Sequence, residues 1–201
     1  MLMVPVAQMQ GPSPLKLGDY YQGGYIAYLT GSFPNQTGFV TSYEWVAMPA
    51  PYSLGYKWGL SGDNIAGASG SAIGTGQINT QYITSYYNND PQWAATQATL
   101  YNGGGYTDWF LPSKDEFEQI CLTFNAGAFG GNSYWGGLRY SWTSTQTTST
   151  SRAWSYDVRD GVIGCSGGNS TWSKNTQMYV RPIRYITYDK NNSYENIGWY
   201  Y

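Results

Sequence analysis

The chain has 201 residues, enough for one large domain around a single core and too few for a second full domain beside it. Charged residues make up 11% of it and the net charge is −2, so it lacks the positive field that a phosphate backbone requires, and nucleic acid is not an expected partner. It has no histidine and two cysteines, Cys121 and Cys165, without CxxC spacing, which removes zinc sites and Ser-His-Asp or Cys-His catalysis.

Residues 1–18 read as an N-terminal arm. Met1 to Pro14 is mildly apolar but lacks the basic residues, continuous apolar run and cleavage pattern of a signal peptide. No stretch approaches the roughly 20 apolar residues of a membrane helix. Membrane insertion is therefore not expected, and a place on a virion or cell surface would come from attachment.

Residues 19–188 read as one domain. Gly23–Leu29 and Gly38–Met48 have strand character around a Gly/Pro/Asn turn and are expected to pair as a hairpin. Ser61–Gly76 is a small, polar loop that Ile65 and Ile73 can anchor. Asn79 or Thr80 then caps a short helix whose apolar side is Ile78, Tyr82, Ile83 and Tyr86.

Asp90-Pro91 starts a second helix, through Trp93, Ala94, Ala95, Ala98 and Leu100 to the stop at Gly103-Gly104-Gly105. Ser113 to Glu116 has capping-box spacing, and Phe117, Ile120, Cys121 and Phe124 follow on one face of a third helix. Cys121 is read there as a small buried hydrophobe with no bond to Cys165. Strands are expected at Tyr140–Gln146, Arg152–Val158, Gly161–Cys165 and Gln177–Ile186, and an Asn/Tyr-rich tail closes the chain at 189–201. Strands, then helices, then strands describe an α+β class.

Four segments carry a resemblance: Gly23–Tyr28, Gly103–Glu116 with its D-W-F-L-P-S run, Trp142-Thr143-Ser144-Thr145-Gln146, and Val180-Arg181-Pro182-Ile183-Arg184. Together with Ala153-Trp154, in this order over about residues 20–186, they resemble the bacterial domain family typified by the C-terminal domain of the Legionella collagen-like adhesin. That family looks like a branch of the C-type-lectin-like fold, which also includes formylglycine-generating enzymes and the variable proteins of diversity-generating retroelements. The resemblance implies two to three helices on twisted antiparallel sheets, termini close together, and ligands held by the last third of the chain. Within it, Trp109, Leu111 and Trp142 are expected in the core, Pro112 ahead of the cap Ser113, and Arg181 or Arg184 holding Asp108 or a loop carbonyl.

The segment from 139 to 177 is the candidate binding surface. Alternation in Arg152–Val158 sends Trp154, Tyr156 and Val158 to a core face, and Ala153, Ser155, Asp157 and Arg159 to a face open to a partner. The turn at Asp160-Gly161 and a loop from Ser166 to Asn175 would project Asn169, Trp172 and Asn175 near the same edge. An exposed Trp172 would anchor a partner; folded back, it would plug its loop. Arg139, Tyr140, Ser155, Asp157, Arg159, Asp160, Asn169 and Asn175 are residue types that adenine-rich codons commonly yield, as in the variable proteins.

The composition, with 21 Tyr, 9 Trp and 26 Gly, suits either such a surface or the core and turns of a β-rich domain. The expected function is non-enzymatic binding of a host-surface protein or glycan, without cofactor. The alternative is an adhesin for polysaccharide or glycosaminoglycan. For a sulfated glycan the cations at hand are Arg139, Arg152, Arg159 and Lys174; neutral sugars would stack on Trp172 or Tyr140. An enzyme of the formylglycine-generating kind lacks a paired reactive thiol here. Asp63 with Asn64, or Asp157 with Asp160, could offer oxygens to calcium, but neither pair forms a dense acidic loop, and no metal is expected.

Overall fold

The computed structural model describes residues 13–42, 44–46, 55–129, 139–158 and 169–189. Strands β1 (Tyr20–Tyr21), β2 (Gly24–Thr30) and β3 (Thr37–Thr41) are joined by β9 (Ile183–Thr187) in an antiparallel sheet of order β1-β2-β3-β9. The expected hairpin is thus present, with its second strand ending at Thr41. Beyond it, Val46 makes a separate bridge to Val180.

A second sheet pairs β4 (Tyr56–Lys57) with β8 (Gln177–Met178). The third has the order β5-β6-β7, from β5 (Arg139–Gln146), β6 (Arg152–Val158) and β7 (Asn169–Ser173). Three helices, α1 (Gly76–Tyr86), α2 (Ala94–Leu100) and α3 (Lys114–Asn125), complete an α+β architecture. No helix among the described residues is long and apolar enough to cross a membrane.

The third helix forms where its sequence places it. Ser113 accepts from the Glu116 backbone N–H at 3.3 Å, and the Glu116 carboxylate accepts from Ser113 N–H at 2.7 Å, closing the capping box. Glu116 is fully buried and also takes the Gly74 N–H at 2.9 Å and the Tyr185 hydroxyl at 2.5 Å. One carboxylate thereby ties a loop, a helix start and a strand. A Cβ at Gly76 would run into it, so only glycine fits there.

Below the cap, Phe117, Ile120 and Cys121 pack against Ala27 and Phe39 of the first sheet and Tyr156 and Val158 of the third. Helix α3 is therefore the wedge between two sheets. A bulge in β2, between Ile26 and Tyr28, accompanies this packing: the Ala27 carbonyl accepts the Thr123 hydroxyl at 2.7 Å.

The reading of Cys121 as an unbonded hydrophobe is corrected by the structure, in which it is 4% exposed and disulfide-bonded. Helical periodicity reports burial but not what approaches from another part of the chain. Cys165, like the expected strand Gly161–Cys165, lies outside the described residues.

The first helix also departs from expectation. Its cap is Thr75, and its inner face is Gly76, Asn79, Thr80, Ile83 and Thr84, while Ile78, Tyr82 and Tyr86 are exposed, as is Ile73 in the preceding loop. Unpaired backbone groups of the neighbouring loops set this rotation, because buried amides must find partners. The Asn79 amide donates to Gly70 O at 2.6 Å and accepts from Gly70 N–H at 3.2 Å, and Thr80 Oγ1 accepts from Leu111 N–H at 3.1 Å.

Helix α2 starts later than Asp90-Pro91. Those residues form a turn in which Asp90 accepts from Gln92 N–H at 2.9 Å, and Trp93 stays extended, buried and stacked on Tyr87 at 4.4 Å.

The quoted motifs have structural roles. Trp109, Leu111 and Trp142 are buried, and Arg184 holds Asp108 through two hydrogen bonds of 2.6 and 2.9 Å. Burial works to raise the Asp108 carboxyl, but the Arg184 guanidinium outweighs it and keeps it below the usual range. The two glycine-rich turns meet: Gly23 and Gly104 both have positive φ, and a Cβ on Gly104 would strike the Gly23 backbone. The ends of the domain also converge. Leu15 N–H donates to the Gln36 side chain at 2.8 Å, and Tyr188 N–H donates to the Gln36 carbonyl at 2.8 Å.

Candidate functional site

The expected binding surface maps to the β5-β6-β7 sheet. Where a loop is expected from Ser166 to Asn175, residues 169–173 form β7. Short polar residues conceal this strand in the sequence; its ladder with β6, Asn169↔Tyr156 to Ser173↔Arg152, supplies the reason it forms.

Alternation then assigns the faces. Trp172 pairs with Ala153 and Ser170 with Ser155, while Tyr140 and Trp142 of β5 pair with Asp157 and Ser155. These residues share one face, and Asn169, Thr171, Arg152, Trp154 and Tyr156 occupy the other. Asn169 and Trp172 therefore do not share a surface as expected.

On the first face, Trp142 and Ala153 are fully buried against Tyr56, Trp58, Met178 and Val180. Trp142 Nε1 donates to Tyr56 O at 2.9 Å. At the rim of this core Trp172 is 40% exposed, and its ring meets Tyr140 with centroids 5.4 Å apart and planes at 59°. Trp172 thus stands on a strand, exposed and braced by a second aromatic, and is not folded into its loop as a plug.

Ser155 and Asp157 are 0% and 6% exposed, which overturns their expected presentation to a partner. The physical reason is that they lie on the Trp142 face of β6, where Ser155 pairs with the buried Trp142 and Asp157 with Tyr140, and these larger side chains and the core beneath cover them. Ser155 still shapes the rim. Its hydroxyl lies 3.2 Å from that of Ser170, which in turn accepts Trp172 Nε1–H at 3.0 Å. A small residue midway between the pairs Tyr140↔Asp157 and Ala153↔Trp172 leaves room for the two rings to meet.

Asn169 is exposed at the start of β7; Asn175 is exposed and accepts from Ser61 N–H at 3.3 Å. Arg139 begins β5, with its backbone paired to Val158. Arg159 and Asp160 lie outside the described residues.

Lys174, counted among cations available to a sulfated glycan, is fully buried. Its ammonium donates to Asp63 O at 2.5 Å and Gln146 Oε1 at 2.7 Å and lies 4.5 Å from the Trp58 ring centroid. Burial lowers its pKa to about 8, against a weaker upward pull from Asp63. The Asp63–Asn64 pair is likewise engaged: an Asp63 carboxylate oxygen accepts from the Tyr87 hydroxyl at 2.8 Å, and Asn64 Oδ1 accepts from Gln146 Nε2 at 2.7 Å. Among the described residues no group of three or more Cys, Asp or Glu could hold a metal ion.

Sequence reasoning missed a groove on the other face. It has a volume of about 690 Å³ and lies among Trp154, Arg152, Lys114, Asn64, Ser71 and Thr148. Part of its wall is Thr145 and Gln146, at the end of a wide irregularity in β5 where Thr143, Ser144 and Thr145 bulge between Trp142 and Gln146. These residues are buried and stitched in: Ser144 N–H donates to Pro112 O at 2.7 Å, Thr145 Oγ1 donates to Gly70 O at 2.8 Å, and Thr143 O accepts Trp58 Nε1–H at 2.8 Å. No local signal in the W-T-S-T-Q run gives the groove away, because threonine favours strands and the irregularity goes with long-range contacts to Pro112, Gly70 and Trp58.

Comparison with known proteins returns no matching family model and no matching curated protein.

Proposed function

We propose that this chain is a non-enzymatic binding module on a C-type-lectin-like scaffold, displayed on a phage, virion or bacterial cell, and that it engages a host-surface protein or glycan through the Tyr140–Trp172 platform. The observation that carries the reading is the exposed Trp172 braced by Tyr140 and held by the Ser155–Ser170 hydroxyls. A large aromatic fixed before binding loses little conformational freedom on contact and makes a strong anchor.

Diversification of the retroelement type fits this arrangement at the exposed Asn169 and Asn175, which can change without entering the core, and at Tyr140 on the core's edge. Ser155 and Asp157 are poor positions for it. Sequencing the locus across a source population tests the idea. Changes at adenine positions of a neighbouring near-copy, concentrated at these exposed codons, support it; an invariant segment without a copy leaves a fixed-specificity binder.

A further inference from the structure

The groove on the opposite face does not depend on the reading of the Tyr140–Trp172 platform. We infer that it is a second binding site, for a neutral saccharide stacked on Trp154. Its volume of about 690 Å³ falls within the range of small-ligand sites, about 300–1,000 Å³. Trp154 is partly exposed on its wall, with the Lys114 ammonium 5.8 Å from its ring centroid, and the part of the indole that the lysine leaves open offers a flat apolar surface suited to the C–H face of a sugar ring.

The rest of the lining supplies hydroxyls and amides. The side-chain hydroxyls of Ser69, Ser71 and Thr148 have no hydrogen-bond partner among the described residues. Asn64 uses its oxygen on Gln146, which leaves its amide N–H groups for a ligand. Paired donors and acceptors of this kind match vicinal hydroxyls.

Charge decides between neutral and polyanionic sugars. No acidic side chain lines the groove, and two cations do, Lys114 and Arg152. Lys114 is paired with Asp115 at 2.6 Å, and the Arg152 guanidinium donates to Thr171 O at 2.7 Å. That leaves at most one uncompensated positive charge, short of the cluster that a sulfated chain requires. The buried bulge and the Gln146 contacts to Ile65 N–H and Lys174 hold the walls, so the site is formed before a ligand arrives.

The test is calorimetric titration of the full chain with cellohexaose, maltohexaose, mannohexaose, galactohexaose and chitohexaose, and with heparin, at low and high salt. At least one neutral hexasaccharide is expected to bind with an affinity that salt leaves unchanged. Trp154→Ala should weaken it tenfold or more, Thr148→Trp should block it by filling the groove from an exposed position, and Trp172→Ala should leave it intact. Thr148→Trp decides the matter should Trp154→Ala not fold. The inference is overturned if no neutral hexasaccharide binds, if both groove variants bind normally, or if only heparin binds with steep salt dependence. Loss of binding in Trp172→Ala alone would place any sugar on the platform instead.

Discussion

The two faces of the β5-β6-β7 sheet are built from the same three strands yet end in opposite shapes. On one, Trp142 and Ala153 sink into a core and the neighbouring rim rises as the Tyr140–Trp172 pair. On the other, α3 covers Tyr156 and Val158 through Phe117, Ile120 and Cys121 but reaches Trp154 only with its first residue, Lys114, leaving a groove. Strand alternation alone would have made one face buried and the other exposed. What covers each half of a strand, and where the cover ends, determines whether an aromatic becomes core, platform or wall.

The contrast between inner and rim tryptophans can be broken most directly at Trp142. Trp142→Ala removes a fully buried indole and its bond to Tyr56, and is expected to cost about 3–5 kcal/mol of unfolding free energy in a denaturant titration. Trp172→Ala should change that stability little but weaken binding to the proposed host-surface partner by about 30-fold, a loss of about 2 kcal/mol, measured on cells that bind the native chain. Equal stability losses in the two variants would erase the distinction between core and platform.

The α3 side is sharpened by its disulfide. Cys121→Ala, or reduction, should lower stability by about 2–4 kcal/mol and loosen the packing of α3 on Tyr156. A thermal transition unchanged by reductant would show that apolar packing alone holds that face. Beneath the platform, Ser155→Val overfills the space under the rings and removes a hydroxyl contact to Ser170, with an expected cost of about 1–3 kcal/mol and a shift in Trp172 emission.

The smallest effect is in alkaline titration. Lys174, lowered to about 8 from an ordinary 10.5, binds a proton more weakly folded than unfolded, so stability should rise gently as pH climbs from about 8 toward 10. Burial raises the hydroxyl pKa of Tyr101 to about 12 and drives those of Tyr87, Tyr156 and Tyr185 higher still, and these groups act in the other direction. Their contribution is present below the ordinary tyrosine value of 10.0 and is lost above it. Lys174→Met should flatten the rise and leave the later fall; a fall beginning at pH 8 in the native chain would contradict the buried ammonium.

The α+β class, the first hairpin, the Ser113–Glu116 cap, the buried face of α3 and the burial of Trp109, Leu111 and Trp142 were legible in the sequence. The burial of those three motif residues was what the family resemblance implied, and the others rest on local signals: turn residues, capping spacing, or a period of two or 3.6. The Arg184–Asp108 pair was legible as one of several options. The rotation of α1, the strand at 169–173, the bond at Cys121, the burial of Lys174 and Ser155, and the groove beside Trp154 were decided only by tertiary structure. In each case a distant partner overrode the local pattern, as Gly70 did for Asn79, β6 for β7, Asp63 and Gln146 for Lys174, and Trp142 of β5 for Ser155. A one-dimensional pattern can say that a residue is apolar or paired in period, but not which backbone group or helix end will stand opposite it.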